Sequence, residues 1–153
     1  MMSETDRIER SIVINAPRER VWRALASAEE FGAWFGVDLS GQSFKVGQRA
    51  RAKMNLPDHP DCYFDATFAR IEPTSLMAFH WIPYPIDPAA DLANEEPTLV
   101  TFILHEAANN ATLLKVVESG FDRVPAHRRA RAFEMNSGGW EAQLRRIAKY
   151  AGE

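Results

Sequence analysis

Few residues of this sequence have chemistry to offer, and they are widely spaced. Glu118 comes first. It closes the run Thr112 to Ser119, where it is in phase with Leu114 and Val116, so a strand sets all three on one apolar face. A carboxylate in such a place must be paired or hydrogen-bonded, or its pKa rises. Arg10, in phase with Ile12 and Ile14 on an N-terminal run, is the partner the spacing offers. The other reading puts Glu118 at the strand end, pointing into water past Gly120. Asn136 and Gln143 lie one heptad apart beside an apolar helical stripe. There they serve either as polar handles in an apolar pocket or as a solvated helix margin.

The remaining chemistry-bearing residues do not assemble. His59, His80, His105 and His127 sit in different segments and never at i, i+4 spacing. His80 and His105 are out of phase with the apolar sets Met77/Phe79/Trp81 and Val100/Phe102/Leu104, so alternation turns both away from the core. His127 lies in a basic stretch before the last helix and is expected in water. His59 with Asp58, Asp61 and Cys62 is the nearest approach to a metal cluster, but Pro57 and Pro60 make that segment a stiff turn. No nucleophile motif, phosphate loop or dinucleotide fingerprint occurs. The expectation is no catalytic constellation, no metal and no cofactor.

The elements that must position these residues read as follows. Ile8 to Asn15 holds the β-branched strand signal Ser11-Ile12-Val13-Ile14, broken by Pro17. Val21, Trp22, Leu25 and Ala26 recur at helical spacing, and a second short helix covers Glu29 to Trp34 before Gly36. Strands follow over Gln48 to Met54, Tyr63 to Ile71, Leu76 to Trp81, Leu99 to His105 and Thr112 to Ser119. Pro83 to Pro97, with four prolines and four acids, is read as a solvated surface loop or as a lid. Ala126 to Tyr150 is a long helix with Phe133, Ser137, Trp140, Leu144 and Ile147 on one stripe. Gly138-Gly139 in its middle implies a kink or a close backbone approach. Strands segregated from helices give an α+β class, an antiparallel sheet packed on the last helix.

Composition sets the outer limits. The chain of 153 residues suits one domain, 1–153 with its core at about 7–151, able to fold without a staple. Eighteen basic against 21 acidic residues give a net charge of −3, which excludes a globally basic nucleic-acid binder. The single Cys62 forms no internal bridge. The polar, acidic start lacks a signal-peptide pattern, and no apolar run reaches the ~18 residues of a membrane span. A cytoplasmic location is expected.

Several strings in order carry a family resemblance: Ile14-Asn15-Ala16-Pro17 into Arg20-Val21-Trp22-Arg23-Ala24-Leu25, then Ala33-Trp34-Phe35-Gly36. Ile71-Glu72-Pro73, Phe79-His80-Trp81 and Thr98-Leu99-Val100-Thr101-Phe102 continue the series. Glu118-Ser119-Gly120-Phe121 and Gly138-Gly139-Trp140, with Leu144 and Tyr150, complete it. Together they resemble the Bet v 1-like or START-like (SRPBCC) superfamily, and within it the family related to the activator of Hsp90 ATPase. The resemblance implies a helix-grip fold: a curved antiparallel sheet wrapped around the C-terminal helix, with a cavity between them. Superfamily members bind lipids, hormones or polyketides, and some catalyse cyclisations. The eukaryotic Hsp90 activators carry an additional N-terminal domain. With a first strand near residue 7, that domain is expected to be absent here and Hsp90 activation is not expected.

The expectation from residues and resemblance together is a small hydrophobic or aromatic ligand held between sheet and helix. The candidate cavity residues are Trp34, Phe35, Phe64, Phe68, Met77, Phe79, Trp81, Phe102, Glu118, Asn136, Trp140 and Gln143. A co-chaperone or interaction module related to the Hsp90 ATPase activators is the alternative, and a cyclase- or aromatase-type enzyme using Glu118 the third reading. On the outer sheet face, Ile103, Leu113 and Val117 are apolar and hint at a homodimer. Arg123, Arg128, Arg129, Arg131, Arg145, Arg146 and Lys149 give the last helix a basic outer side.

Overall fold

The computed structural model describes residues 6–152. Six strands form one antiparallel sheet: β1 (Arg7–Ile14), β2 (Arg49–Lys53), β3 (Tyr63–Glu72), β4 (Leu76–Trp81), β5 (Thr98–Ala107) and β6 (Ala111–Ser119). Their spatial order is β1-β6-β5-β4-β3-β2. Helices α1 (Arg18–Ala26) and α2 (Ala28–Phe35) follow β1, and α3 (Ala126–Gly152) closes the chain. This is the α+β helix-grip architecture. Four of the strands, β1, β3, β5 and β6, begin or end one or two residues beyond the sequence boundaries, where ladder bonds continue past the apolar alternation.

Alternation places Ile8 and Ile14 of β1, Leu114, Val116 and Glu118 of β6, and Val100, Phe102 and Leu104 of β5 on the buried face. Phe64, Ala66 and Phe68 of β3 join them. A bulge between Phe68 and Arg70 then shifts the phase of β3, so that Ile71 stands opposite Met77. Nothing in the sequence marks that bulge. On the outer face Val13 is 60% exposed and is paired in register with Leu113.

The two short helices make a rigid elbow. Ser27 caps α2, accepting the Glu30 backbone N–H at 3.4 Å, and Gly36 ends it in the left-handed region at φ 101°. Gly32 is where the chain doubles back, and a Cβ there would lie 2.2 Å from the Val37 carbonyl oxygen. In α1 the buried residues are Val21, Ala24 and Leu25, with Trp22 only half-buried.

Helix α3 corrects two expectations. The Gly138-Gly139 pair lies in one uninterrupted helix, and neither glycine has an atom within 4 Å of where a Cβ would stand. No backbone approaches there; the missing side chains leave open space. Arg128 does not belong to a basic outer side, since it is 2% exposed. Its guanidinium bonds Glu95 at 2.6 and 3.0 Å and also donates to the Pro83 carbonyl at 3.0 Å. Segment 82–97 is therefore not a freely solvated loop. It is strapped to the start of α3, with Arg123 against Glu96 and His127 within 3.3 Å of the Ala89 carbonyl oxygen.

The two glycine environments give opposite expectations. Gly32→Ala forces the elbow open and lowers stability by about 2 kcal/mol or more, as backbone overpacking does. Gly138→Ala adds a methyl to open space and raises stability by about 0.5–1 kcal/mol, the helix-propensity difference. Urea unfolding of both variants measures the pair, and equal effects contradict this account.

Candidate functional site

The site is built where β4, β5, β6 and α3 meet. Register sets Trp81 opposite Thr98 and Val100 opposite Glu118. Thr98 is thus the diagonal neighbour of Glu118, within reach of its side chain. From above, α3 brings Asn136 and Trp140, about one helical turn apart on one face.

These residues converge on the carboxylate of Glu118, which is 0% exposed. Oε1 accepts from Asn136 Nδ2 at 2.9 Å and Trp140 Nε1 at 2.8 Å. Oε2 accepts from Trp81 Nε1 at 2.8 Å and Thr98 Oγ1 at 2.6 Å. Each oxygen therefore has two donors, all of them uncharged. The Arg10 pairing does not form: Arg10 bonds Glu141 on α3 at 3.2 Å and the Glu9 carbonyl instead. Nor does Glu118 point into water.

Burial pushes the Glu118 carboxyl above the ordinary glutamate range, against the four hydrogen bonds, led by Thr98, that favour the charged form. The geometry accommodates both states. Indole and amide nitrogens only donate, so neither oxygen tolerates a proton facing them. Thr98 is the exception, because its hydroxyl also lies 3.3 Å from the Trp81 carbonyl. When Glu118 is protonated on Oε2, it donates to Thr98, whose own hydrogen turns to that carbonyl.

Around this centre the space between sheet and helix is filled by rings. Phe31 packs on Phe35 and Phe64, Phe79 on Trp81 and Phe102, and Trp81 stacks on Trp140 with centroids 5.6 Å apart. What stays open is a surface cleft of about 110 Å³ lined by Phe35, Trp81, Asn136, Gly139, Trp140 and Gln143. Glu118 lies behind its wall, touching three of the lining side chains. A larger, polar recess of about 310 Å³ lies elsewhere, at Arg18, Glu19 and Glu106.

The candidate residues divide accordingly. Phe35, Trp81, Asn136, Trp140 and Gln143 meet at the cleft, with Glu118 behind them. Phe64, Phe68, Met77, Phe79 and Phe102 are buried in the core beneath. Trp34 is buried as well, its indole donating to the Ala24 carbonyl at 2.8 Å and tying α2 to α1. Two contributors escaped sequence reasoning. Thr98 is in phase with Val100, Phe102 and Leu104, but it falls one residue before the strand as the sequence marks it. Gly139 signalled a break in the helix, and its part is the gap its missing side chain leaves. His80 stays half-buried on the outer face, and among the described residues no group of three His, Cys, Asp or Glu is placed to hold a metal.

Residues 15–152 match the family model described as activator of Hsp90 ATPase homolog 1-like protein. The chain belongs to that family. No curated protein matches it. Among solved structures, protein MLL2253 from Mesorhizobium loti superposes with a TM-score of 0.71 at 24% identity, over 94% of this chain and 95% of that one. DynU16, from the dynemicin biosynthetic locus, gives 0.69 at 24% identity over 95% of this chain, which spans only 46% of DynU16. The Aha1 dimer from Colwellia psychrerythraea, solved in solution, gives 0.68 at 17% identity, covering 95% and 96% of the two chains. Likenesses at these identities show the fold shared by this Hsp90-activator-like family, and the site's role rests on its own geometry. No helix among the described residues is long and apolar enough to cross a membrane.

Two outcomes follow from the charges. Because its folded pKa is raised, Glu118 keeps its proton where the unfolded chain has lost it. Its stabilising contribution is thus full below the unfolded glutamate pKa and is lost as pH rises through the folded one. Glu30 and Glu95, whose folded pKa values are lowered, act in the opposite sense. Their effect cancels when wild type is compared with Glu118→Gln. The stability difference between the two proteins should fall as pH rises from about 4.5, by up to ~1.4 kcal/mol per pH unit. Urea unfolding across pH measures it, and a flat difference rules out a raised carboxyl. Separately, Arg128→Met strands the buried Glu95 and should lower stability by about 3–5 kcal/mol. Hydrogen exchange should accelerate across 82–97 ahead of the sheet; uniform acceleration contradicts a strap.

Proposed function

We propose that this protein binds a small aromatic or hydrophobic molecule in the cleft between α3 and the β4–β5 end of the sheet. The observation that carries this reading is the cleft's wall: the aromatic rings of Phe35, Trp81 and Trp140, with Asn136 and Gln143 as polar handles. Such a mix of apolar surface and a few placed polar groups is the usual make-up of a small-molecule site. Size narrows the ligand class. An enclosed cavity of about 150 Å³ takes one benzene ring, so about 110 Å³ open at one side suits a single ring or short chain. The acyl tails of a lipid do not fit, because the core aromatics fill the rest of the helix-grip space.

Catalysis by Glu118 is less well supported. Both of its oxygens already hold two donors, and no part of it reaches the surface. A general acid or base must approach the atom it protonates within hydrogen-bond reach. The carboxylate instead holds the two indoles and Asn136 in place, which is a structural task of a binding site. The interaction reading rests on apolar residues of the outer face, such as Val13 and Leu113, and on a relative solved as a dimer. It lacks a feature that specifies the partner.

The test uses Gly139→Leu, whose side chain enters the cleft from a helix position with free space around it. In NMR titrations with a panel of single-ring aromatics, wild type should show shifts at the Trp81 and Trp140 indole N–H signals. Gly139→Leu should keep its fold and lose those shifts by at least about tenfold in affinity. Unchanged binding in the variant, or no binding in wild type, overturns the assignment.

A further inference from the structure

The polar groups of the cleft wall are not balanced, and the imbalance specifies a ligand class. Both indole N–H groups, Trp81 and Trp140, donate to Glu118, as does the amide nitrogen of Asn136. The amide nitrogen of Gln143 donates to the Phe35 carbonyl at 3.2 Å. That bond also settles which way the Gln143 amide faces, since the flipped form would set oxygen against oxygen. Gln143 Oε1 is then left buried with no partner. A buried acceptor without a donor costs about 1–3 kcal/mol and is supplied when a ligand brings one. Asn136 is oriented in the same sense, nitrogen towards Glu118, with its oxygen as the remaining acceptor. Among the lining side chains, the only donors left are the second hydrogens of these two amides.

The rings add to this bias. An aromatic face attracts positive charge, and Trp is the strongest of the three aromatic residues in doing so. Both indoles also hand their N–H to a carboxylate, which polarises them further in the direction that favours a cation. One charge opposes: Arg146 donates to the Phe35 carbonyl at 3.2 Å from the solvent side of α3. It is exposed and screened by water and salt, whereas Glu118 is enclosed behind the rings.

We propose that the cleft selects a small organic ammonium, or a comparable nitrogen donor attached to an apolar group, and discriminates against carboxylates and phosphates. Its nitrogen donates to Gln143 Oε1 between the ring faces, and its apolar end closes the mouth against Phe35. This deepens the binding reading above and rests on it. The selectivity arises from an arrangement made for another purpose. Four neutral donors are needed to hold a buried carboxylate, and committing three of them from the wall leaves that wall rich in acceptors.

Three probes of matched shape test it: benzylammonium, benzyl alcohol and benzoate, titrated into the full chain at neutral pH. The indole N–H signals of Trp81 and Trp140 report the cleft, and that of Trp22, half-buried on α1, serves as the control. Benzylammonium should bind at least about tenfold more tightly than benzoate, the scale of one hydrogen bond to a charged group, with the alcohol between them. Gln143→Met, similar in length but without the amide oxygen, should reduce that ratio severalfold; toluene, which has no nitrogen to donate, reports any change in apolar packing by itself. Benzoate binding as tightly as benzylammonium, or a ratio untouched by Gln143→Met, overturns the selectivity and leaves the binding reading standing. Failure of toluene and all three probes to move Trp81 and Trp140 overturns both.

Discussion

A carboxylate held in the core without a counter-charge imposes strict terms on everything near it. Glu118 is shielded from water on all sides, so each of its lone pairs must be met by a hydrogen-bond donor from the protein. The donors come from four places: the end of β4, the start of β5 and two successive turns of α3. Any shift of α3 along the sheet would break two of those bonds at once. The interaction thus fixes the helix against the sheet more directionally than apolar packing does, and it fixes the planes of two indoles with it.

The strap over residues 82–97 belongs to the same arrangement. It leaves the sheet directly after Trp81 and returns directly before Thr98, so its two ends are two of the Glu118 donors. Its middle is locked to α3 through Arg128 and Glu95, a buried pair whose side chains are 1% and 3% exposed. Burial alone would raise the Glu95 carboxyl, but the Arg128 guanidinium holds it below the usual range. Arg128, which pairs with the strap, and Asn136 and Trp140, which donate to Glu118, lie on the same helix, either side of the turn that carries Phe133. Of the two carboxylates, Glu95 is satisfied by a cation and Glu118 by neutral donors. Only the second leaves its surroundings poor in donors.

The cleft is what remains after these demands are met. The rings that resemblance would assign to a cavity wall mostly pack on one another, and only three of them reach the opening. Gly139, in an otherwise ordinary helix, lines that opening and adds no side chain to fill it. A residue with a side chain would be favoured there by helix propensity, by roughly 1 kcal/mol per position. Gly139 thus links a poor helix former of α3 to the recess beside the buried carboxylate.

Much of this was legible along the chain, for reasons of periodicity. Strand alternation put Glu118 on the inner face with Leu114 and Val116, and it turned His80 and His105 outward. Helical spacing placed Asn136, Trp140 and Gln143 together, and the order of elements gave an α+β class that the family resemblance narrowed to the helix-grip fold. Local pattern, however, says only which face a residue occupies, never what stands across from it. The neighbours of Glu118 are separated from it by between 18 and 37 residues of chain. Arg10 has the right phase and the right charge, yet it meets Glu141, because register and the course of α3 decide the contact. Arg128 looked like one more solvated arginine until the acidic strap folded onto it. The sequence by itself determined which residues could be inside, since burial follows hydrophobic period. Tertiary structure alone decided which donors met which acceptors, since a hydrogen bond depends on distances of a few ångströms that no spacing along the chain encodes.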